Sequence, residues 1–123
     1  MLFVALARAA LIPAHLRFAE IPAHLTSPEI VEKRGSNIFP CHGSADPYID
    51  DRWVKATPTH DLASCKKSGL PPIHFNGEDD ALTPHRALDG RLNVEYVRDR
   101  GYFADLPLDE IRKVSLSWTY VRS

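Results

Sequence analysis

Six histidines (His15, His24, His42, His60, His74 and His85), two cysteines and a short run ending in an aspartate are the residues of this chain best placed to do chemistry. Cys41, His42, His60, Cys65, His74 and His85 are all of metal-ligating type. They form no Cys-x-x-Cys and no His-x-x-x-His pair, so the spacing points to histidines scattered over turns and surface, and no metal ligand is assigned. His42-Gly43-Ser44-Ala45-Asp46-Pro47 is the more legible constellation, a turn that displays an acid at the C-terminal edge of a strand. Acyl transfer by a serine hydrolase needs a hydroxyl nucleophile, an imidazole that takes its proton and a carboxylate that orients the imidazole. The nucleophile's usual setting, Gly-x-Ser-x-Gly, does not occur in the sequence, nor does a glycine-rich Lys-Ser/Thr loop for phosphate. Gly77 and Asp80 repeat the spacing of Gly43 and Asp46, which chance similarity of a turn after a strand explains.

The elements that must position these residues fit one domain, since 123 residues can bury a modest core. Lys plus Arg (15) balance Asp plus Glu (16), and without a basic face nucleic acid is not expected as a partner. Residues 1–11 are apolar apart from Arg8 but too short to span a bilayer, and read as a buried strand or helix. Two cysteines make no disulfide framework, and both are expected reduced in a cytoplasmic domain. Ile12-Pro13-Ala14-His15-Leu16 and Ile21-Pro22-Ala23-His24-Leu25 are near copies whose prolines forbid a continuous helix, and they read as a duplicated loop. Thr26-Ser27-Pro28-Glu29 opens a short helix over 28–34 that Gly35 closes. A strand over about 37–41 is expected to end at Gly43, with the Asp46-Pro47 pair in a turn. A helix kinked at Pro58 is expected over 51–67, a strand over 73–75, a helix over 83–90 and a strand over 92–97. Leu108, Ile111, Val114 and Trp118 define a C-terminal amphipathic helix. Strands alternating with helices predict an α/β domain of about four mostly parallel strands with flanking helices, too small to cover both faces and hence incomplete.

Ile38-Phe39-Pro40-Cys41-His42-Gly43-Ser44-Ala45-Asp46-Pro47 resembles the acyl-protein thioesterases and related carboxylesterases, α/β-hydrolases in which a strand leads into His-Gly-x-x-Asp-Pro. Residues 26–35, Arg52-Trp53-Val54-Lys55-Ala56-Thr57, Val94-Glu95-Tyr96 and Gly101-Tyr102-Phe103-Ala104-Asp105 resemble the family's flanking segments in the same order. The similarity runs over about 26–118, with a divergent insertion at about 76–92. It implies that Asp46 holds the position of the triad acid and that Tyr102 stands where the family has its histidine. A tyrosine, with a pKa of about 10, is a poor base at neutral pH.

The resemblance implies acyl ester or thioester hydrolysis in the cytoplasm, without a cofactor, on an acylated protein or a small acyl ester. With neither nucleophile nor triad histidine, the chain is expected to be the truncated C-terminal part of such an enzyme, inactive alone. The alternative is a non-catalytic remnant that binds a ligand or partner. An exposed sheet edge would also favour self-association.

Overall fold

Residues 14–18 alternate strictly in environment: Ala14, Leu16 and Phe18 are buried on one face, and His15 and Arg17 are half-buried on the other. That period of two is the mark of a strand, and in the computed structural model, which describes residues 1–57 and 60–119, it is the organising one. This strand, β1 (Ala14–Pro22), pairs antiparallel with β2 (Ile38–Ile49) on one side and with β4 (Arg98–Phe103) on the other. The two-residue β3 (Arg52–Trp53) pairs antiparallel with β2, giving the order β3-β2-β1-β4. The strands are therefore all antiparallel, and the mostly parallel α/β-hydrolase sheet expected from the sequence is overturned. The tandem segment read as a loop is the central strand.

Much of the difference lies in β2. The turn expected at Gly43 to Pro47 is absent, and the strand runs twelve residues straight through it. Gly43 does not have a positive φ; it lies opposite Phe18, whose ring would sit 3.4 Å from an added Cβ. Pro40 falls at a bulge, where three residues of β1 (19–21) face four of β2 (39–42), so its missing N–H breaks no regular ladder. The chain reverses later, at Asp50-Asp51, where both residues have positive φ (50° and 63°), as a two-residue type I′ hairpin turn requires. A connection this short can only join antiparallel strands.

Helix α1 (Leu2–Ala9) lays Val4 against Leu16, Phe18, Ala45 and Ala56, with Phe3 and Ala7 packed beside them. Helix α2 (Pro28–Arg34) has its expected bounds, with Ser27 capping the N–H of Ile30 and Gly35 left-handed at its end. Of the helix expected over 51–67 only α3 (Leu62–Ser68) forms, capped by Asp61 and closed by Gly69. Its anticipated first turns are spent on the hairpin and β3, and Pro58 lies outside the described residues. The C-terminal helix is α4 (Leu108–Thr119), whose Ile111 joins Leu106 and Phe103 on the α1 side of the sheet. Trp118's side chain lies outside the described residues.

The expected strand at 73–75 and helix at 83–90 are loops. The second gives up helical bonding for Ala87 N–H to Arg91 O and Asn93 N–H to His85 O, which fold 85–93 back on itself. Residues 92–97 run beside the end of β1 through single bonds (His24 N–H to Asn93 O, Val97 N–H to Glu20 O), and the regular strand begins only at Arg98.

Candidate functional site

The face of the sheet turned away from α1 carries the polar side chains. Along β1 these positions are His15, Arg17, Ala19 and Ile21; along β2 they are His42, Ser44, Asp46 and Tyr48. Residues 54–57 continue the sheet beside β2, with 80–84 next to them, and 93–97 run past the end of β1, held by Ala45 N–H to Ala56 O (2.8 Å), Thr57 N–H to Ala81 O (2.7 Å) and a His24 Nε2 to Glu95 Oε2 contact of 2.8 Å.

At one end of the face a column of rings lies across the strands. His15 is stacked between Trp53 (4.0 Å between centroids) and Tyr102 (4.8 Å), and Trp53 also meets Tyr48. Asp46, only 2% exposed, lies directly opposite His15. Its Oδ2 accepts from Arg17 Nε at 2.7 Å, and Arg17 Nη1 donates to the exposed Asp99 at 2.6 Å. Burial works to lower the Arg17 pKa, but the hydrogen bond and charge of Asp46, followed by Asp99, more than offset it and hold it above the usual arginine value. The structure thus brings Asp46 and Tyr102 to one face, on either side of β1. Asp46 is a mid-strand residue committed to a guanidinium, not an acid displayed in a turn, and Tyr102 is a ring in a stack.

At the other end a cleft of about 490 Å³ opens between the sheet and the folded-back loop. Ile21, Ala23, Leu25, Phe39, Leu70 and Val94 form its apolar wall; His42, His60, Thr83, Arg91 and Asn93 supply polar groups, and among the described residues no carboxylate lines it. Two of those polar atoms are buried without a hydrogen-bond partner among the described residues, His42 Nε2 and Thr83 Oγ1. An unmade hydrogen bond at a buried polar atom costs about 1–3 kcal/mol, so two on one cleft wall mark a place where a ligand's polar group fits. Burial, and then the charge of neighbouring His60, lowers the His42 pKa, so its imidazole is neutral near pH 7 and can donate or accept. Arg91 stands at the mouth, its Nε held by exposed Asp89 at 2.6 Å.

Of the metal-type residues, His42 and His60 share this cleft, Cys65 is buried under α3, and Cys41 lies on the opposite side of the sheet. Among the described residues no group of three His, Cys, Asp or Glu could hold a metal ion, and no helix is long and apolar enough to cross a membrane. No family model, curated protein or solved structure matches this chain. The antiparallel sheet is thus the finding that bears on class, and with it the α/β-hydrolase assignment is withdrawn. Thr83, Arg91 and Asn93 carried no functional signal in the sequence. Thr83 reads there as a helix cap, and only the fold-back of 85–93 carries Arg91 and Asn93 to His42.

Proposed function

We propose that this protein is a non-catalytic binding module whose cleft takes a small molecule with an apolar body and a carboxylate head. The observation that carries the reading is the pair of unpartnered buried atoms, His42 Nε2 and Thr83 Oγ1, in a cleft with one apolar wall and no carboxylate among its described lining residues. Thr83 and the neutral imidazole each have a donor to give, and the Arg91 side chain brings positive charge to the mouth, which suits an anionic head over a neutral one. The volume lies in the usual range of small-molecule pockets, about 300–1,000 Å³. No arrangement for covalent chemistry accompanies it, since no hydroxyl or thiol among the described residues is hydrogen-bonded to a histidine.

Calorimetric titration with decanoate, decanol and decylamine tests the reading. Decanoate is expected to bind at least tenfold more tightly than the alcohol or the amine, and Thr83→Val to weaken it about tenfold, the effect of losing one charge-assisted hydrogen bond of about 1.4 kcal/mol. A carboxylate beside His42 favours the imidazolium, so binding takes up protons; affinity therefore rises as pH falls from 7 toward the lowered pKa of free His42. Equal affinity for the acid and the alcohol would exclude a carboxylate site.

A further inference from the structure

A second cavity, of about 290 Å³, adjoins the cleft on the same face of the sheet. The two are built from successive residues of the same four segments. Ala19 lines the second cavity and Ile21 the cleft; Ser44 and His42 divide in the same way on β2, Tyr96 and Val94 on one flanking segment, and the neighbours Leu82 and Thr83 on the other. Two residues along a strand advance about 7 Å, so the spaces follow one another along this face, a groove in two stretches with no lining residue in common. Between them stand the rings of His42 and Tyr96, edge to face with centroids 6.1 Å apart.

The far stretch has its own cation. Lys55 lines it, half-buried, and its ammonium makes no ion pair among the described residues, while Asp80 Oδ1 accepts from its backbone N–H at 2.8 Å. The one carboxylate in the lining, Asp99, is taken by Arg17 at 2.6 Å, and the other acid of that cluster, Asp46, is sealed behind Arg17 with 2% exposure. Ser44 offers a hydroxyl beside Lys55. The groove therefore has a cationic side chain near each end, Lys55 and an Arg91 whose Nε is already paired with Asp89, and apolar or aromatic walls between.

We propose that the groove binds a linear dicarboxylate lengthwise, one carboxylate at His42, Thr83 and Arg91, the chain passing the His42–Tyr96 ring pair, and the second carboxylate at Lys55 and Ser44. This rests on the cleft being a carboxylate site and adds the second end. A monoacid of the same length leaves an uncharged methyl end at Lys55; the diacid gains the Lys55 contact there.

The test compares decanedioate with decanoate by calorimetry on the full chain, in wild type, Lys55→Met and Thr83→Val. In wild type the diacid is expected to bind about tenfold more tightly than the monoacid. Lys55→Met should erase that advantage without weakening decanoate, whereas Thr83→Val should weaken both ligands by the same factor. Lys55→Met keeps the aliphatic stem, and matching melting temperatures confirm that the fold is intact. If decanoate binds and decanedioate gains nothing, or keeps its gain in Lys55→Met, the two-ended groove is overturned and the cleft reading stands. If neither acid binds, both are overturned.

Discussion

Arg17 and Asp46 are unequal partners, and the inequality fixes what their loss should do. Asp46 is buried, with Oδ1 unpartnered among the described residues and Oδ2 held only by Arg17. Arg17 reaches solvent and has a second carboxylate in Asp99. Arg17→Met strands a charge beneath the Trp53–His15 stack and is expected to destabilise the fold by about 3 kcal/mol, the low end for a broken buried pair because water can partly replace the guanidinium. Asp46→Asn leaves Arg17 paired and removes a charge that was poorly solvated, so its cost should be near 1 kcal/mol. Urea denaturation of the two variants checks the order; an equal or reversed cost would mean that Asp46 is stabilised by something other than Arg17. Asp46 stood out in the sequence, but what it does was hidden. Its partner is twenty-nine residues earlier in the chain, in a segment whose prolines and near repeat suggested a loop.

At the scale of elements, whatever is specified by neighbours in sequence could be read directly. Helix α2 has its cap, its first-turn proline and its closing glycine within nine residues, and α4 has its apolar stripe. Strand β2 was not legible because a glycine and two prolines interrupt it, and each is accommodated by tertiary structure: Gly43 by the Phe18 ring across the sheet, Pro40 by a bulge, and Pro47 by a buried place beside Ala14. The true turn is written Asp50-Asp51, a weaker signal than Asn-Gly or Asp-Gly. Asp51, with φ at 63°, tolerates the left-handed region better than most residues but less well than glycine. Asp51→Gly should therefore stabilise the protein by about 0.5–1 kcal/mol and raise its melting temperature, while Asp51→Val, β-branched at positive φ, should lower it. If the glycine variant melts lower than wild type, the hairpin is not a type I′ turn.

For the molecule as a whole, the decisive fact is that one strand serves two cores. Leu16 and Phe18 of β1 point into the cluster under α1 and α4, while Ala19 and Ile21 point into the opposite cluster with Val94, Ala23 and Phe39 that backs the cleft. Alternating strands and helices suggested a parallel sheet because the sequence pattern reports which segments are apolar, not which way they run. Direction was set by the two-residue hairpin and by β1 lying between β2 and β4. A strand buried on both sides couples the two faces, so the binding face cannot unfold while the helical face stays intact. Leu16→Ala and Ile21→Ala are each expected to cost about 2–4 kcal/mol, and because they lie on opposite faces with no shared cluster the double variant should cost their sum to within about 0.5 kcal/mol. Coincident transitions are the sharper expectation. In Ile21→Ala carrying Trp118→Phe, Trp53 fluorescence reports the binding face and far-ultraviolet circular dichroism reports the helices, and both should follow one curve with an unchanged denaturant slope. A fluorescence transition that precedes the loss of helix would show that the binding face is a separate, weaker unit, and ligand affinity would then depend on how often that face is folded.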